Sequence, residues 1–127
     1  MHEKHLYEYV VLRVVPKVER EEFINVGLMI FCKRQKYLRI QYHIPIEKIQ
    51  LMDLEFDIEQ LKINLDSFSK ICLGKKEGGP IAAFEISERF RWLSAIKSSS
   101  VQTSRPHSGF SANLDATFEK LYSELVL

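Results

Sequence analysis

The run YEYVVLRVV, from Tyr7 to Val15, constrains the fold most, because six of its nine residues are aromatic or β-branched. Such residues favour a β-strand, and Pro16 ends the run because proline cannot donate a ladder hydrogen bond. Both faces of the strand would be mostly apolar, a pattern typical of a strand that is covered on two sides. We therefore expect this segment to form a central strand of its sheet.

Two more strand patterns follow this run, from Ile24 to Cys32 (INVGLMIFC) and from Tyr37 to His43 (YLRIQYH). The polar KRQK between them has hairpin length, so the two strands are expected to pair. Gly27 is expected to mark a bulge, a close backbone approach or ordinary packing. Strict alternation would give the first of these strands one face formed by Ile24, Val26, Leu28, Ile30 and Cys32.

The hydrophobic period becomes helical in the middle of the chain. The segment from Asp57 to Cys72 is the clearest helix, since Asp57 and Gln60 form a capping-box pattern and Gly74 stands where a helix should end. Its apolar stripe is formed by Ile58, Leu61, Leu65, Phe68 and Cys72.

Helical spacing resumes near Ala82, and the segment from Ser98 to Arg105 can extend as a strand before an HSGF turn. Asn113 or Asp115 then caps a last helix, whose apolar stripe is formed by Leu114, Phe118, Leu121 and Leu125. This order predicts an α+β fold, a mostly antiparallel sheet of about four strands with helices packed on a face. A chain of 127 residues is expected to form a single domain, 1–127.

Composition excludes several classes of partner. The formal net charge is +1, from 18 basic and 17 acidic residues, so no global charge attracts nucleic acid or an anionic membrane. The longest apolar run, from Val26 to Cys32, is far shorter than the roughly 20 residues of a membrane helix. No signal-peptide pattern is present, and Cys32 and Cys72 are expected to be buried free thiols. We therefore expect a cytoplasmic protein without a membrane partner.

The stretch from Glu88 to Gly109 carries the candidate binding residues. Its basic residues outnumber its acids four to one, and neutral hydrogen-bond donors stand among them. Arginine forks with hydroxyls and amides are what a phosphate or carboxylate site needs. The hypothesis is an anion site formed by Arg91, Gln102, Arg105 and His107. The alternative is that Arg89 pairs with Glu85, Arg91 is solvated and the serines only form a loop.

Catalytic and cofactor motifs are missing from the sequence. Ser104 and His107 invite a nucleophile and base, but no nucleophile elbow or orienting acid accompanies them. Phosphate-binding loops, dinucleotide fingerprints and zinc motifs are also absent. The sequence predicts no catalytic residue, metal or cofactor, and leaves open whether the chain is an enzyme. Trp92 lies off the helical stripe, as either a second core contact or an exposed anchor for a partner.

Four segments carry a family resemblance: YEYVVLRVVP, EEFINVGLMIFC, ERFRWL and VQTSRPHSG. In this order and spacing the chain resembles the bacterial family known as domain of unknown function 3037, from Tyr7 to about Val126. The family has no established function to carry over. Its members often look like neighbours of a kinase-like protein of the HipA type, which implies a regulatory or accessory role beside such a kinase.

Three interpretations follow. The first is a small bacterial cytoplasmic interaction or accessory protein, acting beside a HipA-like kinase. The second is a phosphate-recognising domain that acts on a nucleotide or nucleic acid, and the third is a purely structural role for the polar stretch. A ligand site is favoured if one pocket gathers Glu22, Asn25, Arg91, Gln102 and His107. The interaction interpretation is favoured if these residues scatter or pair internally.

Overall fold

The computed structural model describes residues 3–95 and 100–127, which form one antiparallel sheet and four α-helices. The strands are β1 (His5–Val14), β2 (Ile24–Cys32), β3 (Tyr37–Tyr42), β4 (Val101–Thr103) and β5 (His107–Ser111). The helices are α1 (Ile46–Met52), α2 (Ile58–Cys72), α3 (Ile86–Ala95) and α4 (Leu114–Leu125). Short 3-10 turns lie at Val18–Arg20, Lys76–Gly78 and Pro80–Ala83. The predicted α+β class with an antiparallel sheet is confirmed.

The central position predicted for the first strand is confirmed. The strand order is β3-β2-β1-β4, and β5 also pairs with β1 on the side of β4. Val10, Leu12 and Val14 point into the core under α2 and α3, and none of them is accessible to solvent. The alternate residues of β1 face α4, so the strand is covered on both faces. Helices were expected on one face, and the structure has them on two.

A β-bulge in β2 makes the strictly alternating assignment of that strand wrong. Leu12 pairs with Gly27 but Arg13 pairs with Asn25, so Val26 is an extra residue in the ladder. As a result Val26 lies in the α2–α3 core, while Leu28 and Ile30 lie in the α4 core. Gly27 allows the close approach here, because a Cβ on it would lie 2.9 Å from the carbonyl oxygen of Gln41.

The HSGF segment was predicted as a turn, and the structure places it in β5. Tyr9 pairs with His107 and the two rings stack with centroids 5.2 Å apart. The ring of Tyr7 lies over Gly109, where a Cβ would stand 2.6 Å from the hydroxyl oxygen. These aromatic cross-strand contacts stabilise pairing in a segment of low strand propensity.

Of the late strand expected from Ser98, residues 98 and 99 lie outside the described residues.

The predicted helix from Asp57 is confirmed together with its buried stripe. The Asp57 side chain accepts a hydrogen bond from the backbone N–H of Gln60 at 3.0 Å, which caps α2. Leu61, Leu65 and Phe68 are buried on the sheet.

A polar strap holds α4 against the edge strand β3. The Tyr37 hydroxyl donates to Asp115 at 2.7 Å, and Arg39 contacts Asp115 at 3.1 Å and Glu119 at 2.6 Å. Burial and the hydrogen bond to Asp115 raise the pKa of Tyr37 to about 12. The same hydrogen bond lowers the pKa of the Asp115 carboxyl. Arg39 also stacks over Phe118, 4.1 Å from the ring centroid, so the strap joins the α4 core to the surface.

Both cysteines are buried free thiols, as the sequence predicts. Burial raises the pKa of the Cys72 thiol to about 12, which leaves little of the reactive thiolate at neutral pH. We expect Cys32 and Cys72 to react slowly with a thiol reagent in the native protein and quickly in denaturant. Rapid labelling of either residue under native conditions would contradict the core assignment.

Candidate functional site

Gln102 and His107 lie on the same face of the sheet, the face toward α4. Gln102 stands opposite Arg13 in the β1–β4 ladder, and His107 stands opposite Tyr9 in the β1–β5 ladder. Arg13 and Tyr9 are separated by four positions along β1, so their side chains project in the same direction. This face therefore carries two of the four residues predicted to bind an anion.

Arg91 lies on the other side of the sheet, so the structure does not bring it together with Gln102 and His107. It belongs to α3, and its Nη2 atom is 3.9 Å from a carboxylate oxygen of Glu8. Glu8 pairs with Phe31, whose ring stacks on Phe90 of α3, so Glu8 faces α3. Arg105 is exposed in the short link between β4 and β5. Anion binding at the remaining residues stays a prediction.

The other residues proposed for a single pocket also scatter. Glu22 forms an ion pair with Arg20 on the surface, and Asn25 donates from its Nδ2 atom to the carbonyl oxygen of Leu125 at 3.0 Å. Arg89, the neighbour of these candidates in sequence, donates to the carbonyl oxygen of Ala82 at 3.2 Å and supports the packing of α3 near Gly74. By the criterion stated above, this distribution favours an interaction surface over one enclosed ligand site.

Ser104 has a structural role at the end of β4. Its hydroxyl accepts a hydrogen bond from the backbone N–H of Val11 at 2.9 Å and donates to the carbonyl oxygen of Arg105 at 3.0 Å. The side chain is buried between the end of β4 and the start of β5, where the ladder with β1 is interrupted. The hydroxyl therefore replaces the backbone acceptor that the N–H of Val11 would otherwise lack. The Ser104–His107 pairing therefore gains no support from the structure.

Arg13 was missed by the sequence reasoning, although it shares a face with Gln102. Its guanidinium lies over the ring of Phe23, 4.1 Å from the centroid, and its Nε atom is buried. Within the described part of the chain, that Nε atom has no hydrogen-bond partner. The available signal was an arginine among the apolar residues at the end of the first strand.

A group of exposed apolar side chains surrounds a groove at the end of the sheet. We call it the α1 groove, because α1, the start of β2 and the end of α4 form its walls. Its two adjoining hollows have volumes of about 540 and 510 Å³. Leu51 has 87% of its surface accessible. The groove is lined by four exposed large apolar residues: Phe23, Ile46, Leu51 and Leu127.

Trp92 is 42% exposed on α3, so it is not the second core contact that the sequence left open. Its helix neighbours Phe90 and Leu93 are fully buried on the sheet and hold the helix in place. Exposure meets the requirement for a partner anchor but leaves that role a prediction.

Residues 3–95 and 100–127 contain no group of three or more side chains of the kinds that could hold a metal ion. Over the same ranges, no helix has the length and apolar character required to cross a bilayer.

Comparison with known proteins identifies the family. A family model described as "Protein of unknown function (DUF3037)" matches residues 9–126. The chain belongs to the DUF3037 family. Neither the curated proteins nor the solved structures gave a match. All or part of every strand and helix of this DUF3037 member lies within the match, and so do all walls of the α1 groove except Leu127.

Proposed function

We propose that this DUF3037 chain is an interaction or accessory domain that binds a protein partner through the α1 groove. The observation that carries the proposal is that Phe23, just before β2, meets Ile46 and Leu51 of α1 on one exposed apolar surface. Exposed apolar side chains that gather in a groove are typical of protein interaction sites.

The groove has the anatomy of a binding surface. Full burial of a Leu or Phe side chain is worth about 1.5–3 kcal/mol, so two anchors would supply a large part of a micromolar affinity. Glu47, Lys48 and His43 also line the groove and provide a polar rim. An apolar centre with a polar rim is the usual organisation of an interface.

The partner we propose is a kinase-like protein of the HipA type, in the bacterial cytoplasm. The family resemblance supports this choice, and the two buried free thiols are compatible with a reducing compartment. Trp92 is proposed as an additional anchor, because an exposed tryptophan is the residue type most enriched at binding hot spots.

The test is a binding titration with the purified HipA-like kinase of the same host. Leu51→Asp is expected to weaken binding about tenfold or more, because it places a charge at the centre of the apolar contact. Ile63→Asp is the matched control, since Ile63 is 59% exposed on α2 outside the groove. Trp92→Ala is expected to weaken binding without unfolding the domain.

Equal affinities of the native protein, Leu51→Asp and Ile63→Asp would contradict the groove as the docking surface. The absence of any binding to the kinase would contradict that partner. A Trp92→Ala protein that fails to fold would remove Trp92 from the proposed interface.

A second candidate function is phosphate recognition on the α4 face beside β4 and β5. Arg13 favours it, because its Nε atom has no partner among the described residues and it stands opposite Gln102. Guanidinium donors that the fold does not satisfy are suited to charge-assisted hydrogen bonds with an anion. Arg105 and His107 follow on the exposed link and strand, and complete the candidate set.

Calorimetric titration with phosphate, mononucleotides and short oligonucleotides at two ionic strengths tests this candidate. Arg13→Ala and Arg105→Ala are expected to abolish a heat signal that weakens with salt. Arg91→Ala is the matched control, because Arg91 lies on the opposite face. No heat with any ligand, or equal loss in the Arg91→Ala control, would contradict the site.

A further inference from the structure

A second exposed apolar surface lies at the end of the sheet opposite the α1 groove. Leu6 of β1 and Phe110 of β5 are direct partners in the ladder, and they are 54% and 68% exposed. Leu6 is two positions before Glu8, so its side chain projects on the α2–α3 face, and so does that of its ladder partner Phe110. The groove lies beyond Val14, at the other end of β1, where that residue pairs with Ile24.

Basic side chains surround this apolar pair. Leu6 and Phe110 line a hollow of about 570 Å³ together with Lys4, Lys33 and Arg34. The turn between β2 and β3 also carries Lys36, so three of its four residues are cationic. We call this surface the basic corner, formed by Lys4, Leu6, Lys33, Arg34 and Phe110.

We propose that the basic corner binds an acidic peptide segment of a protein partner, with a large apolar side chain of that segment seated on Leu6 and Phe110. Separate carboxylates on the peptide can reach the lysines and Arg34, while its apolar residue fills the hollow. An aromatic or aliphatic anchor surrounded by charge pairs is a common form of peptide recognition.

The charge distribution favours a peptide over a continuous polyanion. Glu3 lies 3.0 Å from Arg34, and Glu8 lies 3.9 Å from Arg91, so acids interrupt the cations of this region. A lipid surface or a phosphate backbone would meet these acids, whereas the carboxylates of a peptide can be spaced to avoid them. The chain has a formal net charge of only +1, which also gives little long-range attraction to a polyanion.

The basic corner and the α1 groove are independent surfaces, since they lie at opposite ends of β1 and share no residue. Both can be occupied together, so the domain would join two partners or two segments of one partner. The inference therefore does not rest on the partner proposed for the groove.

Selection from a random phage-displayed peptide library tests the inference. Enriched peptides are expected to combine acidic residues with a large apolar residue, and their binding is expected to weaken with salt. Phe110→Ser and Lys33→Glu should each reduce the affinity of the leading peptide about tenfold or more. The matched controls are Ile63→Ser and Lys120→Glu, which make the same kinds of change at exposed positions of α2 and α4.

A third control, Leu51→Asp, separates this inference from the groove, because it should leave peptide binding unchanged. Enriched peptides without acidic residues, or peptides that bind Phe110→Ser and Lys33→Glu as well as the native protein, would overturn the inference. Binding to phosphatidylglycerol vesicles or to single-stranded DNA that these two variants weaken, with no peptide enriched, would also overturn it.

Discussion

Replacement of Phe90 by alanine is expected to reduce the free energy of unfolding by about 3–5 kcal/mol. Phe90 is fully buried, and its ring stacks on that of Phe31 with centroids 5.1 Å apart. It packs α3 against the middle of the sheet, and its removal leaves a cavity that the rigid strands cannot fill. Urea denaturation of the native and variant proteins measures the loss.

Phe84→Ala is the control for this prediction, because Phe84 is an exposed phenylalanine just before the same helix. Its replacement is expected to cost less than about 1 kcal/mol. Equal losses for the two variants would contradict the packing of α3 described above.

Leu65→Ala is expected to cost about 2–5 kcal/mol, because Leu65 is fully buried at the centre of the α2 stripe. Ile63→Ala on the exposed side of the same helix is the control, with an expected change of less than about 1 kcal/mol. Denaturant melts of both variants measure the difference. A loss below about 1 kcal/mol for Leu65→Ala would show that another face of α2 packs on the sheet.

Local periodicity accounts for the parts of the fold that the sequence predicts. The unbroken apolar pattern of β1 indicates a strand covered on both faces, and the stripe around Leu65 and Phe68 indicates which side of α2 is buried. Asp57 marks the start of that helix because its cap bond is formed within four residues. Each of these signals depends only on neighbours in sequence.

The missed features depend on contacts between distant segments. The bulge at Val26 arises from the pairing of β2 with β1, and it reverses the faces that simple alternation assigns. The strand β5 is stabilised by the rings of Tyr7 and Tyr9, about 100 residues earlier in the chain. The position of α4 on the second face likewise follows from the packing of its residues Phe118 and Tyr122 on Leu28 and Ile30.

The candidate site likewise combines features that local sequence predicts with features that depend on contacts between distant segments. The surplus of basic residues between Glu88 and Gly109 indicated a polar region, but only the sheet topology shows that Arg91 lies on the other face and that Arg13 faces Gln102. The α1 groove was missed because the exposure of Leu51 is a property of the folded molecule. In the sequence, Leu51 is one apolar residue of a short helical pattern.

Photo-crosslinking from position 51 tests the central claim, a protein partner bound in the α1 groove, most directly. A photoreactive amino acid would replace Leu51 in one protein and the control residue Ile63 in a second, and each would be irradiated with the purified HipA-like kinase. We predict a covalent adduct with the kinase from position 51, none from position 63, and loss of the adduct when Phe23→Ser is added. Equal adducts from both positions, or none from position 51, would contradict the groove as the binding surface for this partner.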